Sequence, residues 1–330
     1  MNKQINRIHQ IDALRAIAII FVVCFHFMWH QSPEYLLRDD NWSLKLASYG
    51  WTGVDIFFIV SGFCIAMTIE KIPSLSEFYV RRFARIYPAY VFCGLITLIF
   101  FSFFDLPGRE VSWFTGVMNL VFANVIPGLN FQYIDGIYWA LIVELKFYII
   151  FGLIYYTCKD LNKSIFIWIL MSIFLNIVLL IDSNLILSLS SISPHANLFL
   201  VGLVAFNYNR INIKYLTLIA TLSLLNIFLN ERYAENQTYF TILILSTFFI
   251  LKLNINLKIS YISWVGLISY SWYLIHNAVG LIIIRELNKL ELQQYSIISA
   301  IFLTLCLSCV SFYFIEMKFK KIILKNYLKS

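Results

Sequence analysis

The chain has 330 residues and a mass of 38.6 kDa, of which 60% are hydrophobic, 18% aromatic and only 13% charged, where soluble domains carry roughly a quarter charged residues. This composition excludes a soluble globular fold and predicts an all-α polytopic membrane protein. The net charge of +7 does not point to nucleic acid, because the basic residues sit in short runs between apolar stretches, where membrane topology accounts for them.

Apolar segments of spanning length run over 11–29, 49–69, 86–104, 138–157, 164–182, 190–207, 213–229, 238–251, 264–284 and 296–315, which predicts about ten transmembrane helices. The first contains Asp12 and Arg15 and is followed by no small-residue cleavage site, so it is expected to stay attached as a helix. Residues 111–127 are polar at both ends and broken by Gly116, Asn119 and Asn124; they read as a short re-entrant or interfacial segment. With the N-terminus in the cytoplasm, ten spans put 17 of the 25 Lys and Arg residues in cytoplasmic segments and six in outer ones. Counting 111–127 as a span would move the lysine-rich C-terminal tail outside, against the positive-inside rule. Both termini are therefore expected in the cytoplasm, and the chain in the cytoplasmic (inner) membrane. Without internal repeats or Pro/Gly-rich linkers, residues 1–330 read as one domain. The six cysteines lie in or beside apolar stretches with no Cys/His ligand spacing, so they read as packing residues, and neither a metal nor a permanently bound cofactor is expected.

Each ionisable group within a span costs on the order of 2.5 to 3.5 kcal/mol on insertion scales, so such groups face a partner or a wet cavity. Arg15 and His26 are eleven residues apart, on one helix face and about 16 Å apart in height; Asp12 joins the stripe. Asp55 enters about 9 Å below the outer boundary of the second span, and Glu144 lies at a similar depth in the fourth. His26, Asp55 and Glu144 are thus expected to converge in the outer third of the membrane. They would form either a proton-transfer site or a salt-bridge cluster that holds helices together. The basic, aromatic segment Phe78-Tyr-Val-Arg81-Arg82-Phe-Ala-Arg85-Ile-Tyr-Pro88 leads into the third span. Its guanidinium groups suit phosphate binding or a topology anchor.

In order along the chain, these residues resemble the membrane-integral acyltransferase family 3. Ile11-Asp12-Ala-Leu14-Arg15-Ala-Ile-Ala18 followed by His26 is similar to its first-helix pattern, and Gly53-Val-Asp55-Ile-Phe57-Phe58-Ile-Val-Ser61-Gly62-Phe63 to its second. Arg82-Phe-Ala-Arg85-Ile-Tyr-Pro88 and Tyr138-Trp139-Ala-Leu-Ile-Val-Glu144-Leu-Lys-Phe147-Tyr148 resemble two further elements. Gly266-Leu-Ile-Ser269-Tyr270-Ser-Trp-Tyr273-Leu274-Ile-His276 and Phe314-Ile-Glu316 resemble the last. Ala13, Ala16 and Ala140 depart from the usual glycines and small hydroxyl residue without removing a reactive group.

The resemblance implies an acyl-CoA-dependent O-acyltransferase, with a cytoplasmic acyl-CoA donor, most simply acetyl-CoA, and a hydroxyl acceptor outside. The acceptor would be a carbohydrate or lipid-linked glycan such as O-antigen, capsule or exopolysaccharide. It implies catalytic roles for His26, Glu144 and Asp55, donor binding by Arg15, Arg82 and Arg85, and supporting roles for Asp12, Tyr148, Tyr273 and His276. Glu144 is expected to orient His26 as a triad carboxylate does. Ser61 lacks a G-x-S-x-G elbow and reads as a packing serine; His9, His30 and His195 match no motif and are expected at the membrane interface. Many members carry a hydrolase-like outer domain after the last helix, which is not expected here. The alternative is a transporter or flippase, against which stands the lack of matched halves or paired Gly/Pro-interrupted helices.

Overall fold

A computed structural model describes residues 9–30, 42–126, 129, 131–181, 192–228, 237–252 and 260–328. Of the basic residues used to orient the chain, Lys3, Arg7, Arg38, Arg232, Lys258 and Lys329 lie outside the described residues. The order is α1 (His9–Cys24) continued by a π-helical turn (Phe25–Trp29), α2 (Trp42–Ser48), α3 (Gly53–Ile69), α4 (Leu75–Phe103), α5 (Trp113–Leu120), α6 (Trp139–Cys158), α7 (Leu161–Ile181), α8 (Ala196–Asn207), α9 (Ile213–Phe228), α10 (Gln237–Lys252), α11 (Ser260–Lys289), α12 (Gln293–Val310), a second π-helical turn (Ser311–Glu316) and α13 (Met317–Tyr327). No strand occurs among the described residues. The protein is an all-α, multi-pass membrane protein.

Among the described residues, each of the ten apolar segments contains a helix. Seven helical stretches among the described residues are long and apolar enough to cross a membrane: His9–Trp29, Lys45–Ile69, Leu75–Phe103, Gly136–Cys158, Leu161–Val178, Tyr261–Lys289 and Gln293–Tyr327. Helices α8, α9 and α10 are shorter, at 12, 16 and 16 residues, so the count of about ten is approximate. The segment 111–127 is not a span. Its only α-helix, α5, has 8 residues and reaches about 12 Å, capped by Ser112, whose hydroxyl accepts from Thr115 N at 3.1 Å.

The third span differs from expectation. Residues 78–88 do not lead into a separate helix; α4 begins at Leu75, where Ser74 accepts from the Glu77 amide at 3.2 Å, and runs 29 residues through Pro88. Arg82 and Arg85 therefore sit about 11 and 15 Å along one continuous helix.

Cross-helix contacts fix the directions. Arg15 meets Cys64, and Gly50 lies against Phe21, so α1 and the α3 span are antiparallel. His9 meets Ser263 while His26 meets His276, so α1 and α11 are parallel. Phe78 packs near Gly152 and Tyr90 near Tyr138, making α4 and α6 antiparallel. Arg210 pairs with Glu70 at 2.7 Å and Tyr327 with Ser76 at 3.0 Å. Every described pairing fits ten helices alternating in direction, with His9 and Tyr327 at the same face. Close approach is built from small residues: a Cβ on Gly62 would overlap the carbonyl oxygen of Phe199, and one on Gly202 that of Ile59. This locks α3 to α8.

Candidate active site

Two cavities lie one above the other between α1, α6 and α11. The wide one, about 760 Å³, is walled by His26, His30, Trp139, Asp135, Asn277 and the loop residues around Arg109 and Tyr133. The narrow one, about 60 Å³, is walled by Arg15, Ser61, Arg85, Glu144, Tyr270 and Tyr273, among others. Along α6 they are adjacent, since Trp139 faces the first and Ala140, Leu141 and Glu144 the second. On α11, Tyr273 faces the narrow cavity and Asn277 the wide one. The layer between is aromatic: Phe58 against Trp139 at 6.2 Å, Phe57 against Tyr273 at 6.0 Å and Tyr273 against His276 at 5.8 Å between ring centroids.

His26 sits on the π-helical turn, where His30 N bonds to Phe25 O at 2.8 Å, five residues back. π-Bulges inside α-helices are frequent at functional sites. The His26 Nδ1 is 2.9 Å from Val22 O and 3.2 Å from His276 Nε2. His276 is fully buried, and its Nδ1 lies 2.9 Å from Tyr273 O and 3.2 Å from Trp272 O. Carbonyl oxygens only accept, so His276 carries its proton on Nδ1 and offers the Nε2 lone pair. That lone pair accepts from His26 Nδ1, which also donates to Val22 O. The relay thus fixes the His26 tautomer and leaves Nε2 as an unprotonated acceptor on a residue that lines the wide cavity.

Glu144 does not join His26. Its Oε1 accepts from the Ser61 hydroxyl at 2.7 Å and from the Tyr148 hydroxyl, while the two hydroxyls stand 2.8 Å apart. It lines the narrow cavity with Arg15 and Arg85. The expected convergence of His26, Asp55 and Glu144 is replaced by two separate levels: Glu144 lies five residues further along α6 than Trp139, about 7.5 Å down the axis. Asp55 is completely buried on α3 and lines neither cavity. Asp12 is also buried, its backbone packed on Gly266.

The three arginines differ. Arg15 donates to Cys64 Sγ at 3.4 Å and faces the narrow cavity. Arg82 donates to Thr68 Oγ1 at 3.0 Å and lies over the Phe78 and Tyr148 rings at 5.4 and 5.6 Å. Arg85 lines the narrow cavity, where Glu144 and Glu316 act on its charge. Glu316, on the second π-helical turn, accepts from the Ser271 hydroxyl at 3.3 Å.

Several residues in and around the cavities escaped the sequence. Ser61, read as packing, is a ligand of Glu144. His195 is buried, 5.1 Å from Trp139 and 5.0 Å from Phe58 between ring centroids, and His30 is part of the wide cavity. Asp135 was also missed: it caps the turn before α6, accepting from Ile137 N at 3.3 Å, and also from Ala278 N at 2.8 Å and Asn277 Nδ2 at 2.6 Å. An Asp-Gly pair ahead of an apolar run is an N-cap signal that marks it. Asp135 lies outside the spans, and burial pushes its carboxyl up while these three donors pull it down. Among the described residues no cluster of His, Cys, Asp and Glu could hold a metal ion.

Comparison with known proteins places these residues in context. The family model described as an acyltransferase domain matches residues 8–315. The chain is 32% identical over 162 residues to the peptidoglycan O-acetyltransferase OatA of Listeria monocytogenes, covering 42% of this chain and 23% of that protein. It is 30% identical over 168 residues to the acyltransferase MdmB of Streptomyces mycarofaciens, covering 47% and 41%. To the O-acetyltransferase OatA of Staphylococcus aureus it is 26% identical over 195 residues, covering 51% and 29%. The matched region spans less than half the length of each of these relatives. No solved structure matches the chain significantly.

Proposed function

Because this chain belongs to the membrane-integral acyltransferase family 3, we propose that it transfers an acyl group, acetyl in the first instance, from cytoplasmic acyl-CoA to a hydroxyl of an extracytoplasmic carbohydrate. The observation that carries the reading is the His276–His26 relay, which presents a neutral imidazole nitrogen to a cavity of about 760 Å³.

In this reading His26 Nε2 takes the proton of the acceptor hydroxyl as its oxygen attacks the thioester carbonyl. The tetrahedral intermediate collapses with release of the CoA thiolate, which recovers the proton from the imidazolium. The donor approaches through the narrow cavity, where Arg15 and Arg85 face its acyl carbonyl, and the thioester crosses the aromatic layer to meet the hydroxyl at His26. Glu144 acts on this level by holding Ser61 and Tyr148 and balancing the two guanidinium charges; orientation of His26 passes to His276. The face bearing Arg81, Lys159, Arg210 and Lys321 is cytoplasmic by the positive-inside rule, so the wide cavity opens outward. One relative is named for peptidoglycan, which adds cell-wall glycans to O-antigen, capsule and exopolysaccharide as acceptor candidates.

The test is covalent transfer. In proteoliposomes supplied with labelled acetyl-CoA on one side and cell-envelope oligosaccharides on the other, label should enter the carbohydrate with wild-type protein and not with His26→Ala. Substantial transfer by a well-folded His26→Ala protein removes His26 from the chemistry. Movement of an unmodified solute without transfer restores the transporter reading.

A further inference from the structure

The wide cavity contains groups that the transfer step does not use. At its rim, Leu106-Pro107-Gly108-Arg109 forms a turn closed by Arg109 N to Leu106 O at 3.0 Å, with Gly108 at φ +78. This is the type II arrangement, with Pro at the second position and Gly at the third, where only Gly adopts positive φ without strain. Leu106 anchors the turn in the core at 2% exposure, and Arg285 ties the preceding residue by donating to Asp105 O. The turn puts Arg109 on the cavity wall.

Arg109 has no hydrogen-bond or ion-pair partner among the described residues. The wall's one carboxylate, Asp135, instead accepts from Asn277 Nδ2, Ala278 N and Ile137 N. Partial burial and then the Arg109 charge hold His30, just beyond its span, below its ordinary pKa, so a neutral imidazole stands beside the guanidinium. A second set of observations points to a ligand. Asn277 Oδ1 and Asn124 Oδ1 are buried without a partner, although the Nδ2 of each is engaged, with Asp135 and Asn119 respectively. Both residues line the same cavity, together with the rings of Phe101, Phe131, Tyr133 and Trp139. Unpartnered amide oxygens call for hydroxyl donors, aromatic faces suit the apolar faces of sugar rings, and a free guanidinium fits a carboxylate or phosphate in two-pronged fashion.

We propose that the wide cavity is a binding site for an anionic carbohydrate, with Arg109 as the residue that selects a carboxylate or phosphate on it and Asn124 and Asn277 accepting from its hydroxyls. Naming this ligand the acceptor rests on the transfer reading; its binding does not.

Binding is therefore measured without donor. Calorimetry on the full chain in nanodiscs compares a uronic-acid oligosaccharide, the same oligosaccharide with its carboxyls reduced, and a glycerol-phosphate oligomer. The wild-type protein should bind at least one of the two anionic probes tenfold or more tightly than the reduced one, and the stronger of the two identifies the anion. Arg109→Gln should remove that difference while leaving the weak binding of the reduced probe, and Arg109→Lys should keep part of it. Equal affinity for all three probes, no saturable binding of any, or a preference that survives Arg109→Gln would overturn the proposal. Loss of transfer alongside intact binding counts against the acyltransferase reading alone.

Discussion

His276 fixes the tautomer of His26 without lining the wide cavity itself, and in the proposed transfer that makes it a positioning residue. Its Nε2 accepts from His26 at 3.2 Å, and a hydrogen bond of this kind contributes about 1 to 1.5 kcal/mol, roughly tenfold in rate if it acts in the transition state. His276→Ala should lower kcat about tenfold with the acetyl-CoA KM unchanged. His276→Gln, whose amide oxygen also accepts, should recover much of the loss. Equal rates for Ala and wild type, or a Gln variant no better than Ala, would remove the positioning role. Among the arginines, Arg85 faces the narrow cavity whereas Arg82 is occupied by Thr68 and two rings. A charge-assisted bond is worth about 1.5 to 3 kcal/mol. Arg85→Ala should therefore raise the acetyl-CoA KM roughly tenfold or more, and Arg82→Ala should do so less; steady-state kinetics in proteoliposomes checks the order. His30 supplies a pH test. Its depressed pKa means that the unfolded chain binds the proton more readily, so stability is present above about pH 6.5 and declines as pH falls below it. In Arg109→Gln, where one of the two causes is gone, melting temperature should fall less steeply over that window.

At the scale of single elements, glycine decides how closely helices approach. Ala at Gly202 or Gly62 meets backbone on α3 or α8, so either should push the pair apart, misplace Ser61 and lower melting temperature by several degrees. Ala at Gly136, where nothing lies within 4 Å, should leave it within about a degree. Thermal unfolding followed in detergent distinguishes the two classes. The apolar runs were legible because spanning a membrane demands them, and the second-helix and fourth-helix motifs put Ser61 and Glu144 on helices at the right positions. The continuity of α4 was not legible: Glu77, Arg81, Arg82 and Arg85 lower the local hydropathy, and Pro88 reads as a boundary. Both signals yield to packing, because Arg82 turns inward to Thr68 and Tyr148, Arg85 to the narrow cavity, and Arg81 pairs with Glu77 one turn back on the same helix. Depth misled in the same way. Asp55 and Glu144 enter from one side at similar heights, but only contacts between helices tell that Glu144 turns to Ser61 while His26 turns to His276.

For the molecule as a whole, the parallel pairing of α1 with α11 and the meeting of Tyr327 with Ser76 bring the described ends to one face. In a variant without the six native cysteines, a cysteine at Lys321 should be shielded from an impermeant thiol reagent in intact cells, and one at Leu290 labelled. The reverse pattern would invert the protein and both cavities with it. The wall of the wide cavity was the least legible part, since Arg109, Asn124 and Asn277 belong to separate stretches brought together only by the fold. The aromatic layer between the cavities has an electrical consequence as well. A conduit open from one surface to the other would let protons run down the membrane potential, each dissipating roughly 2.3 kcal/mol per 100 mV. With Phe57, Phe58, Trp139 and Tyr273 interposed, the proposed transfer requires an acyl group to pass only about one helical turn while the bilayer stays insulated. Trp139→Ala should therefore make proteoliposomes leak protons faster than the wild type in a dye assay, and an unchanged leak would mean the insulation lies elsewhere.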